Sequence, residues 1–392
     1  MTRQSRPATM ELTAITPGNR FDRMEWAGAF GDLGTLIPFV VAYLAVVKVD
    51  PCGVLFSFGT ALLVCGLYYR TPFPVQPMKA IGAVAATQAA QTATITQSTV
   101  YAAGLATGMI WLFLGLTGAA RHIANRVPRT VVVGIVLGLG FGFMLQGIRM
   151  MSSGWVIAAA GLLGTLLLLT NRTMPAMFLL LAFGVGCGAL QSPDVWHTLG
   201  AIKMGFRLPD FAPASISWHD VVVGTLFLAL PQLPLTLGNA VIAIREENNR
   251  LFPDRAVSEN AVAISTGVMN LGSGMLGGIP MCHGAGGMAG HVAFGARTGG
   301  APIILGVLLL VLAFFFSESV QVVFGLVAHP VLGVILFLTG AQLALGSCDF
   351  SKHKGERFIT LATAALAMWN VGLAFVLGLT LSQIEKRGWL RL

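Results

Sequence analysis

The chain alternates long apolar runs with short polar joints. The runs fall at about 27–47, 53–69, 100–120, 130–148, 154–170, 175–191, 220–244, 260–278, 301–317 and 320–346. Each approaches the roughly 20 residues that a helix needs to cross the hydrocarbon core. Two further segments, about 78–91 and 283–296, are too short and too rich in Gly and small residues to cross alone. A last stretch, Ile359 to Ile384, is interrupted at Asn370-Val371-Gly372, which predicts two short helices there rather than one. The pattern predicts an all-α polytopic membrane protein with about 14 transmembrane segments.

Composition agrees with this pattern. Of 392 residues, 55% are hydrophobic and 10% charged, against roughly 25% charged in soluble domains. The net charge of +8 does not imply a nucleic-acid partner, because the basic residues cluster in the joints. Arg3, Arg6, Arg20 and Arg23 precede the first run. Arg121, Arg126 and Arg129 share one joint, as do Arg245, Arg250 and Arg255, and Lys352, Lys354 and Arg357; Lys386, Arg387 and Arg391 end the chain. All of them fall on one side if each short segment makes half a crossing with an extended lead-in. The other side then holds Lys48, Arg149, Lys203 and Arg207. The positive-inside rule puts the first group and both termini in the cytoplasm, in an inner or plasma membrane. The basic start, Met1 to Arg23, carries no cleavable-signal pattern. Cys52, Cys65, Cys187, Cys282 and Cys348 are scattered, with no zinc or redox spacing, and read as free thiols.

The polar stretch 192–219 divides the chain into similar halves. The predicted plan is a cytoplasmic segment 1–26, a first repeat 27–191, an extracytoplasmic linker 192–219, a second repeat 220–384 and a cytoplasmic tail 385–392. "VPRTVVVGIVLGLG" (127–140) echoes "HPVLGVILFLTG" (329–340), matching Pro128 to Pro330 and Gly138 to Gly340; Pro77 and Pro280 precede the two short segments at nearly the same offset. Seven segments per half is an odd number, so the copies sit in opposite orientations. This is the 7+7 inverted repeat of secondary transporters.

The chemistry gathers at two interruptions. In "TPFPVQPMKA" (71–80) three prolines forbid a helix before one begins at Met78; in "GGIPMCHGAGGMAG" (277–290) Pro280 and the glycines do the same. Non-helical backbone survives in a membrane only inside protein or beside a watery cavity. Two half-helices facing each other near the midplane would offer free N–H groups and partial positive charge, an anion site without formal charge. Gly284, Ala285 and Gly286 allow close approach to that backbone. Lys79 opposes its own helix dipole, which calls for an anion or a carboxylate such as Asp32. Thr35, Gln76, Gln232, Thr236, Asn239 and His283 are the polar residues set in apolar surroundings nearby. Packing between helices is the competing explanation for all of them. Asp32 and His283 are the candidates for proton coupling. "GSGMLG" (272–277) has no strand before it and reads as membrane helix rather than a nucleotide loop. Cys282-His283 lacks the companions of a metal or catalytic site. No cofactor, metal or enzymatic activity is expected.

"GAFGDLGTLIPFVVAYL" (28–44), "PFPVQPMKAIGAVA" (72–85), "LPQLPLTLGNAVIA" (230–243) and "MNLGSGMLGGIPMCHGAGGMAGHVAFGARTGG" (269–300) resemble the molybdate transporter family, a distant relative of the sulfate permeases (SulP). The resemblance implies a core and a gate part, and import of an oxyanion: molybdate, with sulfate or tungstate as competitors. It places Gln76, Lys79, Gln232, His283, Gly284 and Ala285 around the anion. Membrane lipid is the other expected partner, and a homodimer is compatible with the plan. Sulfate permeases usually carry a cytoplasmic domain after the membrane part; about eight residues follow here, which fits the molybdate branch. A proton-coupled nucleobase transporter on the same fold is the first rival, disfavoured because no acid lies between Val221 and Ile244. An anion channel is the second.

Overall fold

The computed structural model describes residues 18–79, 81–82, 95–168, 176–191, 200, 202, 204–345, 351 and 353–387. Helices dominate. The first apolar run is not one straight helix: α1 (Arg23–Ala29) passes through a 3-10 turn at Phe30–Asp32 into α2 (Leu33–Ala42). Asp22 starts α1 by accepting from the N–H groups of Met24 and Glu25. α3 (Pro51–Tyr69) opens with Pro at its first position under an Asp50 cap, a helix start that satisfies both sterics and the orphan N–H groups. α4 (Gln97–Leu116) starts in a Thr96/Thr99 capping box. Then come α5 (Ala119–Ala124), α6 (Arg129–Met151), α7 (Trp155–Leu168) and α8 (Ala176–Gln191).

α9 (Trp218–Leu251) is 34 residues long, longer than the predicted 220–244. Its last turns, Ile244–Leu251, carry the charges that mark the joint. Pro231 and Pro234 lie inside it, and π-type turns flank them at Gly224–Ala229 and Thr236–Ala243. A proline removes one ladder donor and crowds the preceding turn; a wider turn accommodates both. α10 (Glu259–Met275), α11 (Ala285–Ala293), α12 (Gly300–Phe316), α13 (Val320–Gly325) and α14 (His329–Leu345) follow. The predicted run 320–346 is therefore broken before His329. α15 (Lys354–Ala367) and α16 (Val371–Lys386) replace the last apolar stretch, and Asn370 caps the second by accepting from Leu373 N–H. Among the described residues, five helices are long and apolar enough to cross a membrane.

Three helix pairs form the frame: α6 with α14, α4 with α10, and α3 with α12. Glycine lets them meet. A Cβ at Gly140 would stand 2.8 Å from Gly340 O, and one at Gly59 would stand 2.8 Å from Gly306 O. Such small-residue crossings replace the hydrophobic effect as the source of helix affinity in lipid.

Inside this frame the two interruptions cross. β1 (Gln76–Pro77) pairs antiparallel with β2 (Met281–Cys282), Gln76 opposite Cys282, and Met78 N–H donates to Pro280 O at 2.9 Å. The outer edge of β2 is closed by a side chain. Asn270 of α10 donates to Met281 O at 2.6 Å and accepts from Met281 N–H at 2.9 Å, and Ser273 donates to Ile279 O at 2.8 Å. α11 spans nine residues, about 14 Å of rise, roughly half of the hydrocarbon core. It ends at Gly295, whose φ of +107° lets Gly295 N–H and Ala296 N–H return to Val292 O and His291 O.

The Asn270 amide is a test of this architecture. Asn270→Leu keeps the volume but orphans both backbone groups of Met281, at about 1–3 kcal/mol each. A clear fall in the thermal midpoint of the detergent-solubilised protein is expected, and an unchanged midpoint would show that the crossing does not depend on it.

Candidate functional site

The start of α11 is built from glycine and framed by buried polar side chains. Gly284 caps the helix without any side-chain bond. A Cβ there would collide with Gln76 Oε1 and stand 3.4 Å from Asn239 Nδ2. At Gly287 a Cβ would stand 3.0 Å from Asp32 Oδ2 and from Gln76 Cδ. Asp32, Gln76 and Asn239 thus converge on one helical turn, although they come from three distant parts of the chain. All three are buried, at 1%, 0% and 2% exposure. Asp32 sits in the 3-10 turn between α1 and α2, Gln76 on β1, and Asn239 on the widened turn of α9.

Their hydrogen bonds are incomplete. Gln76 Nε2 donates to Asp32 Oδ1 at 2.5 Å, while Gln76 Oε1 and Asn239 Oδ1 have no hydrogen-bond partner among the described residues. The Lys79 ammonium has no hydrogen-bond partner among the described residues either, and lies 3.8 Å from the centroid of the Phe143 ring on α6. It feels Asp32 electrostatically. Phe143 also abuts α11: a Cβ at Gly286 would strike its ring. Thr35 is buried one turn beyond Asp32, and Ala285 is fully buried. A cation, an open helix N-terminus and the Asn239 Nδ2 donor beside Gly284 suit a small anion rich in acceptor oxygens, whereas the unpaired Gln76 Oε1 and Asn239 Oδ1 are themselves acceptors.

Two expected residues are occupied elsewhere. Gln232 accepts from the N–H of Ile81, in the first turn of the other half-helix, at 3.4 Å and donates to Thr236 at 3.0 Å. It caps that helix start rather than standing free. Of the predicted half-helix 78–91, Ala80 and residues 83–94 lie outside the described residues.

His283 departs further from expectation. Its Nδ1 lies 2.9 Å from Pro74 O, which can only accept, and its Nε2 lies 2.7 Å from Ser265 Oγ. Tyr69 OH reaches the same Ser265 hydroxyl at 2.7 Å. Phe73 and Tyr69 pack edge-on to the ring at 5.0 and 6.0 Å. Both ring nitrogens lie within hydrogen-bond distance of protein atoms, so His283 ties the lead-in of β1 to α10 and α3. The sequence singled it out as a polar residue in apolar surroundings and as part of the motif; in the fold its ring meets Pro74, Ser265, Phe73 and Tyr69.

Phe143, Asn270, Ser265 and Tyr69 were absent from the sequence-derived site. Asn270 was legible as a polar residue in an apolar run. Phe143 carried no signal, being one of 24 phenylalanines.

Crossed broken helices inside a bundle of apolar helices define an integral membrane protein of a known transporter fold. The structure resembles murine Slc26a9 in the inward-facing state (TM-score 0.61, 11% identity, 94% of this chain and 69% of that chain). It also resembles the transmembrane domain of the cyanobacterial bicarbonate transporter BicA (TM-score 0.56, 14% identity, 91% and 97%). A structure of SLC26A9 matches at TM-score 0.58 and 12% identity over 92% of this chain, which spans 64% of that chain's length. These likenesses concern the fold alone.

The chain belongs to the molybdate transporter family. The family model described as "Molybdate transporter of MFS superfamily" matches residues 24–143 and again residues 224–343. Molybdate transporter 2 of Arabidopsis thaliana is 33% identical over 92% of this chain and 87% of its own length; molybdate transporter 1 of the same plant is 30% identical over 90% and 85%.

The placement of His283 is testable. His283→Gln keeps at most part of the bonding and should cost about 1–3 kcal/mol of stability, read as a lower thermal midpoint. The pH dependence of ligand binding should be unchanged. A flattened pH profile would put the ring in the site after all.

Proposed function

We propose that this protein is a secondary transporter that imports an oxyanion, molybdate first and sulfate or tungstate as competitors, by alternating access. The observation that carries this reading is a buried Lys79 ammonium with no hydrogen-bond partner among the described residues, together with the glycine-lined N-terminus of α11, in a member of a family named for molybdate. Gln76, Asn239, Thr35, Gly284, Ala285 and Gly286 surround the anion. Gln232 acts from the start of the opposite half-helix.

A 7+7 inverted repeat of fourteen segments accounts for the helix pairing. Taken in order, α3 and α12 would be segments two and eleven, and α10 and α4 segments nine and four. A twofold relation exchanging the halves turns the first pair into the second. It turns α6 and α14, segments five and twelve, into each other, and these two also pack together. The family model's two matches start 200 positions apart, one in each half. With this plan both termini lie in the cytoplasm and the 192–219 linker outside, which gathers most Lys and Arg on the inner side.

Asp32 supplies a route to proton coupling. An ionised Asp32 only accepts, so it takes Gln76 Nε2 and leaves Oε1, another acceptor, toward Gly284. A protonated Asp32 donates to Oε1, and the Gln76 amide turns its NH2 into the site. One proton thus exchanges an acceptor for a donor where the anion lies.

Uptake of molybdate into proteoliposomes, with sulfate, tungstate and uracil as competitors, tests the substrate class. Gly284→Val in a folded protein should abolish uptake, since the side chain would stand over Gln76 and the helix N-terminus; normal uptake would move the ligand elsewhere, and displacement by uracil alone would favour a nucleobase carrier. Wild-type uptake should rise as external pH falls. Asp32→Asn, which cannot change protonation state, should bind molybdate with a flat pH profile; a wild-type profile in this variant would exclude Asp32 as the coupling group.

A further inference from the structure

Phe143 belongs to α6, a helix of the α6–α14 pair, yet its ring reaches the half-helix crossing. Its backbone end is fixed: a Cβ at Gly340 of α14 would stand 2.8 Å from Phe143 Cβ. Its ring meets two parts of the anion site at once. One face lies over Lys79 Nζ, 3.8 Å from the centroid. One edge lies against Gly286, where a Cβ would strike it. The side chain is only half-buried, whereas Asp32, Gln76 and Asn239 are buried. Phe143 and Lys79, itself half-buried, are therefore the partly accessible side of the cluster.

We propose that Phe143 is a specificity-determining residue that competes with the oxyanion for Lys79 and covers the entrance to the α11 N-terminus. This rests on the oxyanion reading of the site. A cation over an aromatic face is held by the ring quadrupole, by about 0.5–2 kcal/mol. Oxygen atoms of a tetrahedral anion offer Lys79 charge-assisted hydrogen bonds, which are stronger. A ligand with fewer or weaker acceptor oxygens gains less than the ring gives up, and is rejected. When an anion takes Lys79, the ring loses its partner, and the contact between α6 and the crossing loosens. Occupancy of the site is thereby linked to the packing of α6 against α11.

The test uses the full-length protein in nanodiscs, with phenylalanine, monofluoro-, difluoro- and trifluorophenylalanine incorporated at position 143. Fluorination weakens the π face with little change of shape. The Kd for sodium molybdate should fall stepwise, by about threefold to thirtyfold across the series. The thermal midpoint without molybdate should fall in the same order. In a Lys79→Gln background the midpoint should no longer depend on fluorination. A flat series with binding intact overturns the proposal, as does an equal dependence with Lys79→Gln, which would make the ring a steric wall only. Binding of neither molybdate nor sulfate by the unsubstituted protein overturns the oxyanion reading itself, and is seen before any variant is compared.

Discussion

In hydrocarbon, every backbone N–H and C=O must find a partner inside the protein, because none is available outside. The arrangement around the site follows from how this chain meets that demand at two places where the backbone leaves the helix. The two lead-ins pair with each other at Gln76–Pro77 and Met281–Cys282. Asn270 then serves as a third strand in miniature, supplying one donor and one acceptor to Met281. His283 and Ser265 close the opposite corner at Pro74. Each polar side chain in this group replaces a backbone partner that a continuous helix would have provided.

With those groups satisfied, the first turn of α11 is what remains open. Gly287 N–H returns to Gly284 O, but the N–H groups of Ala285 and Gly286 have no partner earlier in the helix, and Gly284 brings no side chain to pair them. The same geometry explains why the neighbours are amides and a lysine rather than hydrophobic residues. Asp32 holds Gln76 in one orientation by accepting from its Nε2, which leaves Oε1 toward Gly284. Lys79, in the first turn of the other half-helix, is carried against its own dipole by the ring of Phe143.

Long-range packing positions this cluster. The glycine crossings of α3 with α12 and α6 with α14 bring backbones close enough to set the angle of each helix. The prolines of α9 widen it next to the site, and the widened turn presents Asn239 to Gly284 while Gln232 caps the other half-helix. Two closely packed pairs and one deformed helix thus meet at a crossing only two residues long on each side.

The hydrophobic pattern by itself determined the apolar helices and the two interruptions, because the length of a crossing and the helix-breaking of proline and glycine are local properties. The break at Asn370 was legible for the same reason, since an Asn that caps the next helix leaves a polar gap in an apolar run. Which polar residues face each other was decided only by the tertiary structure. Gln76, Asp32 and Asn239 lie far apart in sequence and meet through helix packing. His283 and Gly284 are adjacent in one motif yet face opposite ways, because successive residues of extended backbone point to opposite sides. Phe143 entered the site from a helix with no polar signal at all, through contacts that a periodic pattern does not encode.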